Sequence, residues 1–109
     1  METKLQREYL AHFNIAGFTY WDGALAFEQL KPGVALTLKL EADNKYDPQA
    51  VALYYETIKL GYVPKTNNTI IYKLLKLGWN GFMAVVQRVD ATEHPEQQVS
   101  VVVHLVGGE

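Results

Sequence analysis

The run Asp43-Asn44-Lys45-Tyr46-Asp47-Pro48-Gln49-Ala50-Val51 lies near the middle of the chain and decides how the rest is read. Its first six residues read as a polar turn: Asp and Asn side chains hydrogen-bond nearby backbone, and Pro48 presets its φ. The stretch after it, Ala50-Val51-Ala52-Leu53-Tyr54-Tyr55, is rich in strand formers. Before it, Val34 to Glu41 alternates apolar and polar residues over its second half, as a strand with one wet face does. A polar turn between two such runs predicts short antiparallel strands.

Working outward toward the C-terminus, Glu56-Thr57-Ile58 predicts a hairpin into a short strand over Lys59 to Val63. Pro64 then marks a change. Asn67 or Asn68 is placed to cap a helix, and Ile70, Ile71, Leu74, Leu75 and Leu77 recur at helical spacing up to a stop at Gly78. That stripe is assigned to the core, with the helix covering an open end of the strands. Phe82 to Asp90 and Gln98 to Val106 read as two further strands, separated by a turn containing His94-Pro95. Toward the N-terminus, Ala11 to Tyr20 reads as extended, and Thr3 to about Leu10 as an opening helical turn. Asp22 to Gly33 reads as a loop with one short helix, closed by Pro32-Gly33. The sum is about six strands with one or two short helices, a small barrel or sandwich.

Composition fits one globular domain spanning 1–109: 49% of the 109 residues are hydrophobic and 20% charged. There is no cysteine, which excludes disulfides, thiolate metal sites and a cysteine nucleophile. The charged start, Met1-Glu2-Thr3-Lys4, lacks the apolar run of a signal peptide, and no apolar stretch approaches membrane-spanning length. The expectation is a cytoplasmic protein. Net charge is −2, but unevenly spread: residues 31–88 carry four acids and eight bases, while 89–109 carry four acids and no base. A basic middle is flanked by acidic ends.

Little here suits catalysis, so no enzyme activity is expected. The single serine, Ser100, falls mid-strand among valines. His12, His94 and His104 show no metal-ligand spacing, and no glycine-rich phosphate loop occurs, so no metal or other cofactor is expected. The carboxylates Glu41, Asp43 and Asp47 lie close in sequence, but an exposed turn does not provide the shielded cleft of acid–base chemistry. What stands out is aromatic and basic residues sharing loops: Phe18-Thr19-Tyr20-Trp21, Asn44-Lys45-Tyr46-Asp47 and Gly61-Tyr62-Val63-Pro64-Lys65. Rings that stack on bases and lysines that meet phosphates are what a single nucleic-acid strand requires. On composition alone the same tyrosines fit still better as residues packed at a barrel rim with their hydroxyls anchored.

Three blocks resemble the HIRAN domain family. Asp43 to Val51 is similar to its Asn-x-Tyr-Asp-x-x-Ala turn, Lys59 to Lys65 to its Gly-aromatic-Val-Pro-basic segment, and Gly17-Phe18-Thr19-Tyr20-Trp21 to its Gly-x-x-Tyr block. With their strands they cover residues 12–105 or thereabouts. The resemblance implies an OB-like, mainly β barrel of six strands with one or two short helices. It also implies a module that captures the free 3′-hydroxyl end of single-stranded DNA in repair or replication-fork processing, leaving enzymatic steps to a helicase or nuclease partner in trans. Carried onto this sequence, Asp47 matches the carboxylate that accepts the terminal hydroxyl. Tyr20 and Tyr46 match aromatic positions at the last nucleotides, Asn44 a polar turn position at the end pocket, and Lys65 a phosphate contact. Lys45 adds charge at a variable position, and Tyr62 stands where a histidine is common. Thr19 and Glu41 depart from the pattern, each standing where a basic residue is frequent. The alternative is a protein-interaction module that uses an open strand edge to bind a peptide or a second copy.

Overall fold

The computed structural model describes residues 6–18 and 23–107. Six strands, β1 (Gln6–Asn14), β2 (Ala35–Leu40), β3 (Val51–Tyr55), β4 (Ile58–Tyr62), β5 (Phe82–Val89) and β6 (Val99–Gly107), form one antiparallel sheet. Their order is β1-β6-β5-β2-β3-β4. Between β1 and β2 lie a short helix α1 (Gly23–Ala26) and a 3₁₀ turn at Phe27–Gln29, and α2 (Asn68–Lys76) joins β4 to β5.

β6 shows why the sheet closes over a core. Val99, Val101 and Val103 are buried while Ser100, Val102 and His104 are less so, the period-2 alternation of a strand with one face inward. These valines meet Leu53 and Val51 of β3, Leu60 of β4, Val86 of β5, Ile15 and Ile71 in one cluster. Bulges at Tyr9/Ala11, Leu53/Tyr54 and Val86/Arg88 add local twist and curl the sheet around it.

The expected barrel is not closed by continuous strand pairing. The sheet has two ends, β1 and β4, and these meet through a single bridge in which Ala16 and Tyr62 exchange N–H···O bonds of 2.9 Å. Gly61 permits this approach: at φ +148° it lies where side chains are disfavoured, and a Cβ there would sit 2.4 Å from the Ala16 carbonyl oxygen.

Two other expectations are corrected. Residues 6–10 are strand, not helix, because β1 pairs along its whole length with β6, from Gln6 opposite Gly107 to Asn14 opposite Ser100. The helical stripe is only partly core. Ile71 is buried and Leu74 and Leu75 half-buried, but Ile70 (47% exposed) and Leu77 (83%) face outward. A helix of nine residues leaning on one side of the sheet cannot bury five apolar positions at once. Its end is as the sequence implies: Gly78 takes φ +89°, and N–H bonds from Gly78 to Leu75 and from Trp79 to Leu74 form a Schellman cap. Among the described residues, no helix is long and apolar enough to cross a membrane.

Candidate nucleic-acid interface

The β2–β3 connection is rigid because its side chains supply the hydrogen bonds that its backbone cannot. Asn44 Oδ1 accepts from the N–H groups of Tyr46 (2.8 Å) and Asp47 (2.9 Å), winding the chain into a tight turn. Asp47 Oδ1 then accepts from the Gln49 N–H (2.9 Å), and the Asp47 carbonyl accepts from the Ala50 N–H (3.0 Å). The turn thrusts Tyr46 into solvent, 89% exposed, with no packing to explain its size. An aromatic ring held out on a braced loop is available to stack.

Asp47 is also held from the far side. Its Oδ2 accepts from Asn68 Nδ2 at 2.9 Å, and Asn68, at 2% exposure, is the one buried polar residue among the described residues. From sequence, Asn68 offers itself only as a helix cap. The helix in fact begins after Asn67, whose side chain makes no cap bond, and Asn68 points across to the turn. A second Asn directly after the N-cap position, opposite an Asp turn, is the sequence signal that would have suggested the pair. Each Asp47 oxygen carries one protein bond here, and a carboxylate oxygen has room for a second.

On the neighbouring wall, Glu41, Lys59, Tyr62 and Asn44 form a compact network. Tyr62 Oη donates to Glu41 Oε1 (2.6 Å), Lys59 Nζ donates to Tyr62 Oη (2.8 Å) and to Glu41 Oε2, and Asn44 Nδ2 donates to Glu41 Oε1 (2.9 Å). Lys59 also lies 4.6 Å from the centre of the Tyr62 ring. Burial pushes the Glu41 carboxyl up, but the hydrogen bonds from Lys59, Tyr62 and Asn44, with the Lys59 charge, outweigh it and hold the group below its ordinary value. Burial likewise pulls Lys59 down, and its bonds to Glu41 and Tyr62 more than reverse that. Burial and the Glu41 carboxylate push Tyr62 up against the opposing pull of Lys59. The network is an ion pair of zero net charge with a protonated phenol bonded to both of its members. Glu41 therefore does not stand in the groove as a lone negative charge, because Lys59, 18 residues away, neutralises it.

These two assemblies frame one groove of about 440 Å³ beside the Ala16–Tyr62 bridge. Of the sequence-predicted residues, Asn44, Lys45, Tyr46, Asp47, Tyr62 and Lys65 all line it. Tyr20 and Thr19 lie outside the described residues. Ala50, Val63 and Pro64 give the floor an apolar surface, while Lys45 and Lys65 stand exposed at its margin. Such a site can accept a flat ring against its apolar wall, anions at its rim and a hydrogen-bond donor at Asp47.

The HIRAN domain model matches residues 9–106 of the chain. Among solved structures, the crystal structure of a protein from Lactobacillus plantarum superposes with a TM-score of 0.79 at 23% identity, covering 94% of this chain and 98% of that one. The crystal structure of the HIRAN domain of human HLTF gives 0.69 at 13% identity, covering 94% of this chain and 81% of that one. At these identities the likeness is one of fold. No curated protein sequence matches the chain.

Proposed function

Because the chain belongs to the HIRAN domain family, we propose that it is a module that binds single-stranded DNA at a free 3′-hydroxyl end, without catalytic activity of its own. The observation that carries this reading is the convergence of Asn44, Lys45, Tyr46, Asp47, Tyr62 and Lys65 on one groove.

In this reading the terminal base stacks on Tyr46, with Tyr20 as the second ring. The 3′-hydroxyl donates to the Asp47 carboxylate, which is aimed by Gln49 and Asn68 and would repel a terminal phosphate. Lys65 and Lys45 take backbone phosphates. Asn44 builds the turn instead of touching DNA, since both of its polar atoms are engaged within the protein. Tyr62 serves as a fixed wall, its hydroxyl held between Glu41 and Lys59. A helicase or nuclease acting in trans would use the captured end in repair or fork processing.

The test is fluorescence anisotropy of Asp47→Ala with oligonucleotides ending in 3′-hydroxyl or 3′-phosphate. The variant is expected to bind both ends alike. Discrimination equal to that of the unmodified protein would remove Asp47 from the role.

A further inference from the structure

A second groove lies between β1 and the start of α2. It lies between Leu10 and Ala11 of β1 on one side and Thr66, Thr69 and Lys73 on the other, with a volume of about 410 Å³. Its wall begins one residue after the end-binding groove stops: Lys65 lines the first and Thr66 the second. No acidic residue lines it among the described residues. From Pro64 to Gly78 the chain carries Lys65, Lys73 and Lys76 and no acid, although the whole protein is net negative.

We propose that this groove is the track for the body of the DNA strand whose 3′ end sits at Asp47, with Lys73 a phosphate contact on the 5′ side. The inference rests on the end-capture reading and adds to it a direction. Asn68 to Lys73 spans about 7.5 Å of helix axis and about 140° around it, so Lys73 lies farther from the Asp47 turn than the axial rise alone. The hydroxyls of Thr66 and Thr69 lie along the same wall, Thr66 donating to Asn67 and Thr69 to Gln49, each at an exposed position where the proton can be turned to a phosphate oxygen instead. Leu10, Ala11 and Ile70 give sugar and base an apolar surface opposite the charge. The strand therefore enters between β1 and α2, passes Lys65 and ends at the Asp47 turn.

The experiment compares a trinucleotide and a decanucleotide, both with free 3′-hydroxyls, on three proteins: unmodified, Lys73→Glu and Lys31→Glu. The last makes the same charge change in the exposed turn before β2. The decanucleotide should bind the unmodified protein more tightly than the trinucleotide. Lys73→Glu should remove that advantage and lower the salt slope for the decanucleotide by about 0.7, the increment of one single-strand phosphate contact. Lys31→Glu should do neither. Equal affinity for both lengths, or equal effects of the two substitutions, would overturn the track and leave the end pocket standing. Binding of neither oligonucleotide to the unmodified protein would overturn end capture and the track together.

Discussion

Replacing Asn68 with alanine tests whether the Asp47 turn is braced from α2. The Asn68 side chain is 2% exposed, and its Nδ2 donates to Asp47 Oδ2 at 2.9 Å. A hydrogen bond to a charged group contributes about 1.5–3 kcal/mol. Asp47 lines an open groove, so water can re-solvate the released oxygen, and the lower end applies. The small void left by truncation adds a few tenths, for a total of about 2 kcal/mol. For a domain of this size about 1 kcal/mol moves Tm by some 4 °C, so thermal unfolding should fall by about 8 °C. Asn68→Asp sharpens the test by setting two carboxylates in contact, one of which must then titrate above its ordinary range. A raised folded-state value means that stability is present in acid and lost as pH rises, so Asn68→Asp should be worse than Asn68→Ala at pH 7 and recover on acidification. A Tm shift below about 2 °C for Asn68→Ala, read by circular dichroism, would refute the brace. So would pH-independent behaviour of Asn68→Asp.

Three further outcomes follow from the same geometry. Glu41 is depressed below its ordinary 4.5, so its contribution to stability is present above that value and lost as pH falls through the lower folded value. Lys59 and Tyr62 are raised above 10.5 and 10.0, so theirs is present below about 10 and lost as pH rises further. Urea midpoints across pH should show that plateau, and Glu41→Gln should shrink the acid limb without abolishing it, since Asp90 is also depressed, by its bonds from Thr92. Gly61→Ala, which drives a Cβ against the Ala16 carbonyl and the Ile15 side chain, should cost on the order of 3 kcal/mol and speed amide exchange at Ala16 and Tyr62. Unchanged exchange would show that the seam does not need glycine. Tyr46→Ala should leave Tm within a degree or two while weakening oligonucleotide binding by about 1–3 kcal/mol, measured by anisotropy.

The sequence was most legible where the governing interactions are local. The Asn44-to-Pro48 turn, the β3–β4 hairpin and the glycine-capped end of α2 all depend on residues within a few positions of one another, and each is found where turn and cap chemistry places it. Legibility failed where distant partners decide. Gln6 to Leu10 looks helical in isolation, and only β6, some 95 residues on, makes it a strand. Glu41 read alone is a charge in the wrong place, and only the fold shows Lys59 beside it. Helical spacing located the apolar stripe of α2, but it could not reveal that the sheet offers room for Ile71 and Leu75 and none for Ile70 or Leu77. For the groove, the loop motifs named six residues that converge, while the Asn68 brace required the two loops to be seen side by side.

The most direct measurement is the affinity of the unmodified protein for two otherwise identical oligonucleotides, one ending in a 3′-hydroxyl and one in a 3′-phosphate, by fluorescence anisotropy at low and physiological salt. The account predicts tighter binding of the hydroxyl end at both salts, with the preference surviving as phosphate contacts are screened, because it comes from the hydrogen bond to Asp47. Equal binding of the two ends, or binding of neither at low salt, would contradict it and move the open strand edge, as a site for a peptide or a second copy, to first place.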